Sequence, residues 1–176
     1  NPPSALTHNN ISESSLEKIE FKNVSFKYPK EDSFAIKDVS LSFESNKIIG
    51  ITGKSGSGKS TFCDVLMGLL RHSNGSIKVN GIEAEIYENS TWLKKISYAP
   101  PQARLIADSI ENNIFFASNN SHPINFIKKI VNLDFLTSNQ DFKNLPTSNN
   151  LSAGQIQRLG LARAMARIDP ELIILD

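Results

Sequence analysis

Apolar residues alternate with polar ones early in the chain. Ile19, Phe21, Phe26 and Tyr28 predict a half-buried strand ending at Pro29. Val39, Leu41 and Phe43 repeat that period of two. Lys47–Thr52 (KIIGIT) is a short apolar run, the pattern of a strand buried on both faces. A glycine-rich loop follows, and the spacing of Phe62, Leu66 and Leu69 or Leu70 then predicts a helix over Lys59–Leu70. Asn74-Gly75 and Asn80-Gly81 read as turns on either side of a strand at Ile77–Val79. A short helix is expected over Asn89–Lys95, and a strand over Ile96–Ala99. Beyond Pro100-Pro101 the pattern turns helical. Pro123 opens a helix with Ile124, Ile127 and Ile130 or Val131 on one face. A loop at Leu145–Asn150 leads to Ser152, a good N-cap, and the helix it starts should end near Asp169-Pro170. Leu172–Leu175 (LIIL) predicts a buried strand that delivers Asp176 at its end. Strands and helices interleave around a buried sheet, so the fold class is α/β.

Composition narrows the function. The 176 residues match one domain at ~100–200 residues each. A net charge of +1 argues against a protein whose main task is neutralising nucleic-acid phosphates. The single cysteine, Cys63, excludes an internal disulfide and a Cys-rich metal site, and on the helix after the glycine-rich loop it reads as packing rather than redox chemistry. His8, His72 and His122 lack metal-ligand spacing. The polar opening stretch has neither a basic start nor an apolar core, so it is no secretory signal. It begins at Asn1, which suggests a piece of a longer protein, and residues 1–17 are expected to be a flexible linker.

The chemistry is carried by Gly53-Lys54-Ser55-Gly56-Ser57-Gly58-Lys59-Ser60, which fits G-x-x-x-x-G-K-[ST] between a strand and a helix. Glycines let successive backbone N–H groups wrap an anion, and the helix start adds partial positive charge. Lys59 would reach the β- and γ-phosphates, Ser60 would ligate Mg²⁺, and Thr61 would donate to the α-phosphate. The rival reading is a glycine-rich surface turn that happens to carry a lysine, and the flanking strand and helix weigh against it. The motif names a nucleoside triphosphate without naming a reaction.

Further motifs narrow the choice. Leu151-Ser152-Ala153-Gly154-Gln155 looks like an LSGGQ signature, continuing as Ile156–Ala164 close to QRIGIARA. Leu172–Asp176 looks like a Walker B strand with its magnesium aspartate. Tyr28, between Phe26-Lys27 and Pro29, matches an A-loop aromatic. SIKVNG (Ser76–Gly81) and SIENNI (Ser109–Ile114) read as family segments too. From about Ile19 to Asp176 the chain therefore resembles the ATP-binding cassette (ABC) family, specifically nucleotide-binding domains of exporter type.

The resemblance implies an α/β P-loop NTPase core, an antiparallel β subdomain bearing Tyr28 and a helical signature subdomain over about residues 103–168. The whole ATP-binding domain would run over 18–176, incomplete at the C-terminus. It implies ATP and Mg²⁺ as cofactors. Nucleotide would be held by Tyr28, Gly53, Ser55, Gly56, Ser57, Gly58, Lys59, Ser60, Thr61, Ser152, Gly154 and Gln155. Lys59, Gln102 and Asp176 would serve catalysis, with Ser60, Gln102 and Asp176 on the metal. Stacking of adenine on Tyr28 would contribute ~1–3 kcal/mol, by analogy with base–aromatic stacking. The implied partners are a second nucleotide-binding domain, bound head to tail, and a membrane-spanning domain preceding Asn1 in the same polypeptide. No nucleic-acid partner is expected. The implied place is the cytoplasmic face of a membrane, a bacterial inner membrane first.

Three departures keep alternatives open. The family's general-base glutamate, D-loop and switch histidine would lie beyond Asp176, so the polypeptide as given is expected not to hydrolyse ATP at a useful rate. In Tyr98-Ala99-Pro100-Pro101-Gln102 the glutamine falls one place late. Ala153 replaces a glycine, adding a methyl where backbone nears phosphate and resisting positive φ. These departures motivate a rival, a non-hydrolysing regulatory module. A DNA-maintenance ATPase fits less well, because no heptad run separates Gln102 from Leu151. An importer subunit fits less well because of the leading linker and the SIENNI segment.

Overall fold

The alternation in the first strand is interrupted, and the interruption shapes the first sheet. In the computed structural model, which describes residues 11, 14–116, 122–133 and 151–176, β1 spans Lys18–Phe26. Ile19 and Phe21 face inward, and then Val24, Ser25 and Phe26 are all buried in succession. Register shifts separate Phe21, Val24 and Phe26, and Asn23 lies in the bulge at φ +50°. Its N–H donates to Ser40 Oγ at 2.8 Å, and that hydroxyl donates to Asn23 Oδ1 at 2.9 Å. Such a bulge twists a strand and re-aims its side chains. With β2 (Ile36–Glu44), β3 (Asn74–Val79) and β4 (Ile82–Glu83), β1 forms an antiparallel sheet of order β2-β1-β3-β4.

One face of this sheet carries α1 (Lys59–Leu66), the helix that leaves the glycine-rich loop. Phe62 on α1 meets Phe21 at 5.1 Å and Phe43 at 6.1 Å between ring centroids. The helix therefore inherits its position from β1 and β2. It stops short of the expected Leu70 because Gly68 adopts φ +75°. A side chain there would strike the Ile86 carbonyl oxygen at 2.1 Å, so only glycine fits. Below the helix end, the fully buried Trp92 on α2 (Ser90–Lys95) donates its indole N–H to the Leu66 carbonyl at 2.9 Å. Cys63 is buried in the same layer, as packing.

Four expectations from the pattern need correction. Lys47–Thr52 is not a strand: it has no ladder among the described residues, and Ile48, Ile49 and Ile51 are exposed. An apolar run of this kind becomes a strand only when neighbours bond to it. Asn74-Gly75 is not a free turn but the start of β3. Asn74 pairs with Ser25, and Gly75, at φ +88°, passes so close to β1 that a Cβ would lie 2.4 Å from the Asn23 carbonyl oxygen. Asn80-Gly81 does turn the chain, with both residues at positive φ. The strand at Leu172–Leu175 forms but buries only Ile174 well. The helix expected to reach Asp169-Pro170 stops at Ala166.

The described residues form two compact units, which divide between Lys95 and Ile96. Within the first unit the approach to β1 is tied down. Asn80 Oδ1 accepts from the N–H groups of Glu17 and Lys18 at 2.8 and 3.1 Å, and Asn80 Nδ2 donates to the Ser15 carbonyl at 2.8 Å. Lys95 Nζ donates to the Ser14 carbonyl at 2.8 Å, and Ile11 is buried. Residues 14–17 of the expected linker are thus bonded to the domain.

In the second unit, β5 (Ile96–Ala99) pairs in parallel with β6 (Leu172–Leu175). Three helices pack together: α3 (Ile110–Ile114), α4 (Ile124–Val131) and α5 (Ala153–Ala166). Ile110, Ile114, Ile127, Val131 and Leu133 close on Leu159, Ala162 and Ala166 of α5. Of the face expected for α4, Ile127 and Val131 are buried and Ile124 packs against the same core, whereas Ile130 is exposed. The loop expected at Leu145–Asn150 lies outside the described residues, apart from its neighbour Leu151. No described helix is long and apolar enough to cross a membrane.

Candidate functional site

In the first unit the glycine-rich loop runs into the N-terminus of α1. Gly56 and Gly58 hold φ of +77° and +87°, values that side chains resist. Gly58 is also the N-cap, and a Cβ there would lie 2.3 Å from the Ala35 carbonyl oxygen. The first intrahelical bond is Phe62 N–H to Gly58 O, at 2.8 Å. The amides ahead of it have no acceptor within the helix, and no acidic residue occupies the first turn. The helix start therefore offers donors and partial positive charge to an anion.

Lys59 bends back over the loop. Its ammonium donates to the carbonyl oxygens of Gly53 and Lys54, both at 3.0 Å, and Ser57 N–H donates to Lys54 O at 3.2 Å. Gly53 packs closely on Ser57: a Cβ there would stand 2.5 Å from Ser57 Oγ, so a side chain would have to turn that hydroxyl aside. Ser55 and Ser60 are exposed, and the Ser60 hydroxyl is a hard oxygen donor suited to Mg²⁺. Thr61 is buried, with its Oγ1 3.1 Å from the hydroxyl of Tyr28. The Tyr28 ring stands edge-on to Phe26 at 4.9 Å, and the residue is 39% exposed. These features fit a nucleoside triphosphate: bare glycines, a cation over the loop and an exposed ring beside it.

The other expected residues lie in the second unit. Ser152 is the N-cap of α5 and forms a capping box with Gln155. Gln155 N–H donates to Ser152 Oγ at 3.3 Å, and Ser152 N–H donates to Gln155 Oε1 at 2.7 Å. The box leaves the Ser152 hydroxyl proton free to donate outward. Ala153 is the first helical residue, so the alanine sits in right-handed backbone and avoids the strain that positive φ would bring. Gly154 has open space where a side chain would be. Gln102 is exposed, just beyond β5. Asp176 is exposed too, and its N–H extends the ladder to the Ala99 carbonyl at 3.1 Å.

Two residues of this unit escaped the sequence reading. Asn113 is almost fully buried, and Arg163 spans toward it from α5. Both stood in segments recognised as family-like, SIENNI and the stretch after the signature, yet neither motif says that they meet. Burial lowers the Arg163 pKa below its usual value. Among the described residues no cluster of His, Cys, Asp or Glu could hold a metal unaided.

A glycine-rich loop capping a helix, a strand-end aspartate and a capped signature helix on an α/β scaffold define a P-loop nucleotide-binding domain. The sequence profile described as "ABC transporter" matches residues 36–176, and the chain belongs to that family. An export ATP-binding/permease protein of Rickettsia prowazekii is 36% identical over 182 residues, covering 98% of this chain and 31% of the relative. An ATP-dependent lipid A-core flippase of Pseudomonas aeruginosa is 32% identical, covering 90% of this chain and 27% of the relative. The chain thus spans about a third of the length of these relatives. A bacterial Atm1-family ABC exporter with ATP bound matches the fold with a TM-score of 0.84 at 21% identity, over 98% of this chain and 31% of that one.

Proposed function

We propose that this chain is the ATP-binding and ATP-hydrolysing domain of an exporter, working at the cytoplasmic face of a membrane, a bacterial inner membrane first. The observation that carries the reading is the helix start at Gly58 with Lys59 folded over the loop. Adenine stacks on Tyr28, and the triphosphate takes the loop amides and the Lys59 ammonium. When bound, Mg²⁺ neutralises charge on the phosphate oxygens, and the hard oxygens of Ser60 and Asp176, with Gln102, are the donors proposed to hold it. Ser152 and Gly154 donate to the γ-phosphate held by a second nucleotide-binding domain, so two copies close over shared nucleotide. Water then attacks the γ-phosphorus in line with the departing ADP, and the formation of ADP and phosphate releases the pair. A membrane-spanning domain in the same polypeptide converts closing and release into transport, and the relatives' length and names support that arrangement.

The test is nucleotide binding and hydrolysis by the complete gene product. Mg²⁺-dependent hydrolysis lost in Lys59→Ala supports the reading. One observation favours a second reading: Gln102 stands one residue late after Tyr98-Ala99-Pro100-Pro101. A regulatory module would bind ATP yet release no phosphate in a single turnover.

A further inference from the structure

The segment that follows Gln102 is bonded to the signature helix by a compact polar latch. Asn113, on α3, is nearly solvent-free and uses its whole side chain. Its Oδ1 accepts from Ile106 N–H at 2.8 Å. Its Nδ2 donates among the carbonyl oxygens of Ile106, Asp108 and Ser109, at 3.1, 3.1 and 2.9 Å. One amide therefore folds residues 106–109 into a fixed loop.

Arg163 then fastens that loop to α5. Its Nε donates to the Asn113 carbonyl at 2.7 Å, one terminal nitrogen to Asn113 Oδ1 at 3.2 Å, and the other to the Arg104 carbonyl at 3.1 Å. The planar guanidinium matches three acceptors at once, which a lysine ammonium on a flexible stem does not. Phe116 lies under the same group, 5.9 Å from it. One turn back along α5, Gly160 leaves room for Ala103, the residue after Gln102: a Cβ on Gly160 would stand 2.5 Å from the Ala103 Cβ. Residues 103 and 104 are thus gripped from the helix that begins at Ser152.

We propose that Asn113 and Arg163 are positioning residues, which hold the segment after Gln102 and the signature helix as one rigid piece. The inference rests on the ATPase reading for its consequence: Gln102 must reach its own nucleotide as Ser152 reaches the one held by the second domain. Neither residue is among those proposed to capture ATP, so the pair acts on turnover and leaves ATP capture alone.

The experiment uses the complete gene product, with Asn113→Ala and Arg163→Lys. The expected result is a fall in kcat of about 10–100-fold, the scale of a misplacement of about 1 Å, with KM for ATP within about threefold. The Ile106 amide is expected to exchange its hydrogen at least about tenfold faster in Arg163→Lys, while amides of α1 stay as they were. Should Asn113→Ala fail to fold, Arg163→Lys carries the test from a half-exposed position. Unchanged kcat, unchanged Ile106 exchange, or a rise in KM that accounts for the whole loss overturns the proposal. If the wild-type protein turns over no ATP, the ATPase reading fails instead, and the Ile106 exchange alone decides whether loop and helix move as one.

Discussion

The hydroxyl of Tyr28 lies 3.1 Å from the hydroxyl of Thr61, so the aromatic proposed to stack on adenine is bonded to the helix proposed to bind phosphate. ATP that uses both residues must compete with this contact. A hydrogen bond of this kind contributes about 0.5–1.5 kcal/mol net. Tyr28→Phe keeps the ring and frees Thr61, so ATP affinity should stay equal or tighten by a few-fold. Tyr28→Ala loses the stacking face and should weaken affinity by about 1–3 kcal/mol. Equilibrium titration with a fluorescent ATP analogue reads both. Equal losses in the two variants would show that the ring's stacking face is not what binds.

Gly58 is expected to tolerate no side chain. Its φ of +87° and the 2.3 Å approach to the Ala35 carbonyl oxygen both oppose one. Gly58→Ala should cost about 1–3 kcal/mol in stability and should abolish nucleotide protection against unfolding. Urea denaturation with and without MgATP measures both effects. Full protection by MgATP in the variant would mean that the loop geometry is not the nucleotide cradle.

The capping box at Ser152 should make separable contributions. Ser152→Ala removes one acceptor at a helix start, a loss of about 1 kcal/mol in stability. It should lower turnover of the complete gene product by more than that stability loss explains, since the hydroxyl also faces nucleotide in the proposed dimer. Ala153→Gly is the contrast. The alanine already sits in helical backbone, so turnover should change by less than about twofold. A large gain from glycine would instead identify Ala153 as the defect of a degenerate site.

Trp92 anchors the end of α1 and so fixes the helix that carries the loop. Trp92→Phe fills most of the space but leaves the Leu66 carbonyl without its indole donor. An orphaned buried acceptor costs about 1–3 kcal/mol. Thermal unfolding should show the loss, with ATP affinity of the folded fraction unchanged.

The local backbone geometry of the candidate segments was more legible in the chain than the long-range contacts around them. Gly53–Ser60 and Ser152–Gln155 carry their geometry locally, through glycine backbone and a capping box, and such short-range chemistry is written in adjacent residues. Tyr28 could be placed at a strand end, but its bond to Thr61 crosses 33 residues. Asn113 and Arg163 meet across 50, and no periodicity links them. Lys47–Thr52 shows the opposite failure. Its apolar pattern states a need for neighbouring strands, but a ladder is a property of the neighbours as well. Asn74-Gly75 looked like a hairpin turn because that dipeptide favours positive φ. Here the same freedom serves a close pass between β3 and β1.

The central claim is that Lys59 and its loop hold ATP for hydrolysis. The most direct measurement is phosphate release from MgATP by the complete gene product in lipid, wild type beside Lys59→Ala. Removing a charged donor to phosphate should cost about 1.5–3 kcal/mol in binding alone, so steady turnover should fall at least about tenfold. Turnover that persists in Lys59→Ala, or a wild-type protein that binds MgATP and never releases phosphate, would contradict the account.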